Sequence, residues 1–309
     1  MGSRGRAALL GVAAVVCPGA STGEAPTALT EEREPCAAHD PQRNLYFGDL
    51  HVHTAFSQDA STQGTRNTPR DAYRFARGER IGLQPYDDRG RPLRSLQIGR
   101  PLDFAAVTDH AEMLGETEIC KTPGLPGHDS WVCRVYRRWP RAAFFWMNYQ
   151  SARAQRHNFC GPGGELCLEA ARAPWQEIQR AAEEAYDRSS SCEFSTFVGY
   201  EWTGAVGPGN NFHRNVIFRN ANVPELPTSF IDTPKLGDLW SRLSQECRAG
   251  PEPEADHCQA IAIPHNSNLS NGLMFQTLRE DGTPITAEDA AARAKYEVLV
   301  EIMQHKGDS

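Results

Sequence analysis

The sequence predicts an α/β fold: a distorted β/α barrel with a helical insertion, carrying its polar residues at one rim. Three observations lead there. The first is a recurring pattern of an apolar run that ends in histidine or a carboxylate. It occurs in Asp103-Phe-Ala-Ala-Val-Thr-Asp109-His110, in Phe197-Val-Gly-Tyr-Glu201 and in Ile261-Ala-Ile-Pro-His265. Leu45-Tyr-Phe leading to His51-Val-His53 gives a fourth, and Asn211-Phe-His213-Arg-Asn-Val-Ile-Phe218 places its histidine at the mouth of a strand. Polar residues that end parallel strands share one rim of a barrel. The second is the presence of helical patterns between these runs. The third is their spread along most of a 309-residue chain, which favours one domain with insertions over two small ones.

In chain order, Leu45, Tyr46 and Phe47 read as the start of a short buried strand. His51 and His53 are two apart, so on an extended chain both imidazoles face one point. Asp59 follows a turn at Ser57-Gln58 and can bring a carboxylate back to them. Thr68-Pro69-Arg70-Asp71 starts a helix that runs to about Gly78: a Thr cap, Pro at the first position and an acid near the positive end of the dipole. Residues 81–98 read as a hairpin turning at Asp88-Arg-Gly-Arg91, and 103–108 as a strand delivering Asp109 and His110.

Residues 111–191 form the insertion. A helical pattern spans Ser130 to about Arg156 and is interrupted near Pro140; another spans Pro174 to Tyr186. Its aromatics (Trp131, Tyr136, Trp139, Phe144, Phe145, Trp146 and Tyr149) read as the core of a buried helical subdomain in preference to a ligand-stacking wall. The insertion leaves from the ligand-bearing end of a strand, which suits a cover over the barrel mouth. Beyond Glu201 come a Gly/Asn loop at 204–211, a strand at 212–218, a helix at 234–246 and an acidic loop at 249–258. A strand at 261–264, a Thr286-capped helix at 287–295 with Asp289 placed for a capping box, and a strand at 298–303 complete the chain.

Residues 1–25 read as a signal peptide: Arg4 and Arg6, then ten apolar residues from Ala7 to Val16, too few to span a bilayer. Residues 26–44 are a linker and 45–309 the domain. Val16 is bulky where lipoprotein signals carry a small residue, so plain export to the periplasm or beyond is favoured over lipidation of Cys17. Nine cysteines fit export, because the eight outside the signal can pair. Cys120/Cys133, Cys160/Cys167 and Cys247/Cys258 are near neighbours suited to local pairing; sequence does not fix the connectivity. The formal net charge of −7 argues against a nucleic-acid surface. Oligomeric state is not legible.

Together, the His-x-His at 51–53, Thr108-Asp109-His110, Pro264-His265, Tyr200-Glu201-Trp202-Thr203 and His213-Arg-Asn-Val-Ile-Phe218 resemble the PHP superfamily, named for polymerase and histidinol phosphatase domains. They resemble more closely its secreted branch, domain of unknown function 3604. The resemblance runs from about Tyr46 to Ser309. It implies a PHP-type barrel and a centre of two or three divalent metal ions. By motif, His51, His53 and Glu201 would hold one ion. Glu201 would bridge to a second held by His213 and His265, and Asp59 and His110 would serve a further one. Asp109 would be a ligand or an acceptor that orients an imidazole, and it joins Glu201 as a candidate catalytic residue. The resemblance also implies a late Asp-x-His. None follows His265, so the chain is expected to be truncated at its C-terminal end.

Imidazole and carboxylate donors suit zinc, manganese or iron. Clustered cations turn bound water into hydroxide near neutral pH and neutralise several oxygens at once, which phosphoryl transfer needs. No Gly-x-Ser-x-Gly and no Gly-x-x-x-x-Gly-Lys occurs. Arg214 is a candidate anion contact, although on a strand it should point away from His213. The expectation is an exported metal-dependent hydrolase of a small ester substrate, a phosphoesterase using metal-bound hydroxide. Hydrolysis of sulfate esters or amides at the same centre, or metal binding without catalysis, are the alternatives.

Overall fold

The computed structural model describes residues 33–206, 210–247, 258–279, 282–304 and 307–308. The segment expected to be a signal peptide, with Cys17, most of the acidic loop, His257 and His305 lie outside the described residues. The elements in order are β1 (Gly48–Val52), α1 (Gln58–Thr62), α2 (Pro69–Ala76), β2 (Ile81–Tyr86), β3 (Pro92–Leu96) and β4 (Phe104–Val107). The insertion contributes α3 (Leu114–Lys121), α4 (Trp131–Arg138), α5 (Pro140–Ser151) and α6 (Glu165–Ala185). Then come β5 (Ser195–Trp202), β6 (Ala205–Val206), β7 (Asn210–Asn211), β8 (Arg214–Phe218), α7 (Leu236–Glu246), β9 (Ala260–Pro264), α8 (Ala287–Tyr296), β10 (Met303–Gln304) and β11 (Gly307–Asp308).

The central sheet has the order β1-β4-β5-β8-β9 and curls into half a barrel. β1, β4 and β5 run parallel; β8 is antiparallel to both β5 and β9. The sheet is therefore mixed, where the sequence predicts a barrel of parallel strands with His213 at the mouth of one of them. The reversal of β8 is what keeps the rim intact: His213 precedes β8, so it lies at the same end as Glu201 in β5 and His265 after β9.

Local chemistry sets the element ends. Thr68 caps α2 by accepting from the Asp71 amide, while Asp71 accepts from the Thr68 amide; Thr286 and Asp289 repeat the box at α8. The β2–β3 hairpin turns where an Asp87 carboxylate oxygen accepts from the amides of Arg89 and Arg91. α6 is longer than its sequence pattern suggests, starting at Glu165 and carrying Pro174 within it. Packing outweighs the lost hydrogen bond: Trp175, Ile178, Ala181 and Ala182 on its inner face enter the main core beside Tyr73, Phe194, Tyr200 and Phe218. Trp175 is fully buried and its indole N–H donates to the Pro224 carbonyl at 2.9 Å. Truncating it to alanine would cost about 3–5 kcal/mol.

A second core lies inside the insertion, built from Met113, Ile119, Tyr136, Ala143 and Met147 around two disulfides. α3 crosses α6 so closely that a Cβ at Gly115 would stand 1.8 Å from the Cys167 carbonyl oxygen. Disulfides join Cys36–Cys192, Cys120–Cys133, Cys160–Cys167 and Cys247–Cys258. The last three are the near-neighbour pairs.

Three expectations need correcting. Leu45, Tyr46 and Phe47 are exposed and precede β1, because β1 is an edge strand that covers only one neighbour. Residues 298–302 are irregular and largely exposed; only the Glu301 amide reaches β9, donating to the Pro264 carbonyl. Trp131, Trp139, Phe145, Trp146 and Tyr149 are exposed, so most of the insertion's aromatics lie outside its core. Small residues and Met147 fill the inner face of α5 instead.

Candidate metal centre

The centre is assembled around the Glu201 carboxylate at the end of β5. Glu201 is 1 % exposed, and four imidazoles converge on it. Oε1 lies 3.5 Å from His51 Nε2 and 3.1 Å from His213 Nδ1; Oε2 lies 3.1 Å from His53 Nε2 and 2.9 Å from His110 Nδ1. The five rings of His51, His53, His110, His213 and His265 form a closed circuit. Successive centroids are 5.1, 4.6, 5.6, 4.7 and 6.3 Å apart, the last returning from His265 to His51.

Backbone geometry explains the convergence. β1 slips by one residue against β4 between Asp49 and Val52, a bulge that re-aims the strand end bearing the two histidines. His110 bridges Glu201 where the β4–β5 ladder continues past its named strands. Asp59 lies in the first turn of the short helix α1, where a turn was expected. Its carboxylate reaches back to His53 Nδ1 at 3.1 Å and to His110 Nε2 at 3.8 Å. Ser57 Oγ donates to it at 2.6 Å.

Three overlapping sets have donor atoms within 4.8 Å of one another: His51/His53/Glu201, His53/Asp59/His110 and His110/Glu201/His213. They share Glu201, His53 and His110, so they form one continuous centre. His265 is outside these sets; it touches the circuit by its ring, and its Nδ1 bonds the Asn266 carbonyl at 2.5 Å. Asp109 lies behind the centre. Its two oxygens accept from the Thr54 amide at 2.5 Å and the Thr54 hydroxyl at 2.7 Å. It anchors the chain next to His53 and orients no imidazole. A fourth grouping, Glu116 with Cys160 and Cys167, has its sulfurs joined to each other in a disulfide.

Arg214 is turned away from the centre. Its guanidinium is buried against Glu297 at 3.0 Å and donates to the Met274 carbonyl at 2.8 Å, as strand alternation requires. It is no anion contact. His39 is exposed, His128 bonds the Ile119 carbonyl and His157 is buried beside Phe159; none belongs to the three sets.

Three residues at the centre escaped the sequence reading. Glu301 places Oε1 3.0 Å from His51 Nδ1 and accepts the Asn266 amide at 3.0 Å on Oε2. Thr203 bonds His110 Nδ1 through its hydroxyl. Glu112, fully buried, accepts the amides of Thr203 and Phe230 and so holds Thr203 in place. The available signal was a carboxylate set among apolar residues in Val298-Leu-Val-Glu301-Ile-Met303 and another two residues past His110.

Electrostatics follow from burial and convergence. Burial pushes the Glu201 carboxyl up, but the imidazoles, His110 foremost, outweigh it and hold Glu201 well below the ordinary carboxylate range. Asp59 behaves likewise beside His53 and His110. Burial opposes protonation of His51, yet Glu201 and Glu301 raise it to about 9. Burial dominates at His213, which is pushed down to about 3. An ionised carboxylate beside a neutral imidazole is the ligand state that metal binding requires.

The donor set fits divalent cations. Nε2 of His53, Nε2 of His213 and Oε2 of Glu201 are buried without a geometrically sound hydrogen bond, although His53 Nε2 and Glu201 Oε2 are only 3.1 Å apart. Buried polar atoms facing one another without partners are costly unless something else satisfies them. Several ions of the zinc, manganese or iron class would do so.

Among the described residues, no helix is long and apolar enough to cross a membrane. No curated protein and no solved structure matches the chain. The description "protein of unknown function (DUF3604)" belongs to a family whose match covers residues 40–309, every residue of the centre included, and the chain belongs to that family.

Proposed function

We propose that the protein is an exported metal-dependent hydrolase of small ester substrates, phosphate esters foremost, with a PHP-like centre of two or three divalent ions. The observation that supports this reading best is the convergence of four imidazoles on one buried carboxylate, with Asp59 extending the donor set on one side. Bound divalent cations would supply acidified water and neutralise the oxygens of the group under attack. Four disulfides suit an oxidising compartment.

The chain's own residues prepare that chemistry. Glu201 joins two donor sets. Asp109 fixes the Thr54 backbone and so the direction in which His53 leaves β1. Glu301 engages Nδ1 of His51 and leaves Nε2 toward Glu201. Glu112 holds Thr203, which holds His110.

The test is to strip the periplasmic protein with a chelator, reload it with zinc, manganese or ferrous iron, and measure metal per chain. It is then assayed on a phosphodiester, a phosphomonoester, a sulfate ester and an amide. Chelator-sensitive phosphoester turnover is expected. Turnover confined to sulfate ester or amide would move the reaction class, metal without turnover would make this a binding protein, and failure to retain metal would end the reading.

A further inference from the structure

From Trp131 to Gly164 the chain carries six arginines and no aspartate or glutamate, within a protein of formal net charge −7. Two of the six are engaged. Arg156 pairs with Glu116 and Asp232, and Arg137 donates to the carbonyls of Cys120 and His128. Arg134, Arg138, Arg141 and Arg153 are exposed, and among the described residues none pairs with a carboxylate.

The same helices hold all three exposed tryptophans of the protein, Trp131, Trp139 and Trp146, together with Phe145 and Tyr149. On α5 the buried positions are Ala143, Met147 and Ser151, four apart. Arg141, Phe145, Trp146 and Tyr149 therefore occupy the opposite face. The rings form one surface: Trp146 lies 5.7 Å from Trp131 and stacks on Tyr149 at 5.8 Å. Arginines border it, Arg138 over Trp139 at 5.6 Å and Arg153 over Tyr149 at 5.4 Å.

We propose that this outer face of α4 and α5 is a docking surface for an anionic phospholipid bilayer. Tryptophan and tyrosine settle at the level of lipid headgroups, phenylalanine reaches the acyl boundary, and arginines extend to the phosphates. Charge selects the partner. A second copy would bring the same unpaired arginines against this face. A soluble polyanion would engage the arginines but has no apolar layer for Phe145, which is 72 % exposed. The docking proposed is peripheral, through the outer face of two helices that pack on the rest of the protein. α5 also packs on α1, which carries Asp59, and Tyr136 of α4 bonds Ser61 of α1, so the docked face is one helix layer from the candidate centre. The proposal stands whether or not the centre is hydrolytic.

Full-length exported protein is sedimented with vesicles of phosphatidylcholine alone and of phosphatidylcholine mixed with phosphatidylglycerol. Binding should be at least about tenfold tighter to the anionic vesicles. Arg138→Glu with Arg141→Glu should weaken it about tenfold or more. Phe145→Ala with Trp146→Ala should weaken it similarly and in a way that raised salt does not mimic. Near-UV circular dichroism checks each fold, and because both arginines are exposed that variant carries the test alone if the aromatic pair misfolds. The proposal is overturned by equal binding to both vesicle types, by unaltered binding of the arginine variant, by binding to heparin without binding to vesicles, or by self-association through this face in place of vesicle binding.

Discussion

Nδ1 of His51 and Oε1 of Glu301 lie 3.0 Å apart although 250 residues separate them in the chain. This pairing directs the other imidazole nitrogen at Glu201. Carboxylates behind metal-binding imidazoles typically contribute 10–100-fold in affinity, and Glu301→Gln should therefore weaken metal binding by about that factor. In metal-free protein, His51 should titrate near 9, and Glu301→Gln should bring that value down. The sign follows from its raised value: the ion pair stabilises the metal-free fold fully below about 6.5 and is lost as pH rises through about 9. Isothermal titration and histidine NMR measure the two effects, and a variant unchanged in both would remove Glu301 from the centre.

Glu201→Gln keeps the shape of the side chain and removes the charge on which four imidazoles converge. Metal-free circular dichroism should be retained, whereas bound metal, and with it the proposed hydrolysis, should fall to near background. Glu201 would hold two ions together if both were bound, and without its charge they would repel one another by several kcal/mol, on the order expected for partly screened charges. Full metal occupancy by elemental analysis in this variant would show that the bound ions do not depend on Glu201.

All eight cysteines beyond Cys17 should be oxidised after non-reducing purification, with four cross-linked peptides identified by mass spectrometry. Cys36–Cys192 closes the longest segment, 156 residues apart. Replacing both by serine should cost roughly 2–4 kcal/mol, read as a lower urea midpoint. Free thiols at either position would contradict the assignment.

His157 is buried beside Phe159, and burial lowers it to about 4. Its folded value is below its unfolded value, so its contribution is complete above about 6.5 and is lost as pH falls toward 4. The wild type should lose on the order of 1–3 kcal/mol more than His157→Phe between neutral pH and pH near 4. Parallel urea curves for the two proteins across that range would refute the effect.

Much of the centre was legible because strand periodicity and ligand chemistry agree. His51, His53, His110, Glu201 and His213 each end or begin an apolar run, Asp59 follows the turn that brings its carboxylate back, and the fold brings all six into the three donor sets. Arg214 followed the alternation rule in pointing away. What stayed hidden depends on contacts between distant segments. Nothing near Glu301 signals that its partner is His51, and no spacing rule joins Cys36 to Cys192. The insertion was misread for a different reason. Aromatic residues are ordinarily core, and only the placement of Ala143 and Met147 on the inner face of α5 shows that Phe145 and Trp146 face outward. Pro174 suits a helix start and predicts a shorter α6, whereas the packing of the whole inner face carries the helix through it.

The ladder between β5 and β8 pairs Glu201 with Asn215 and Trp202 with Arg214. Glu201 and His213 are thus held relative to each other by backbone hydrogen bonds, and beyond Thr203 the connection to Phe212 need only close the reversal. Insertions there would leave the two donors in register, whereas a slip of one residue in the ladder would turn one of them to the opposite face. Loop length and ligand geometry are separately adjustable, so a change of length in this connection alters what reaches the rim without rebuilding the rim itself.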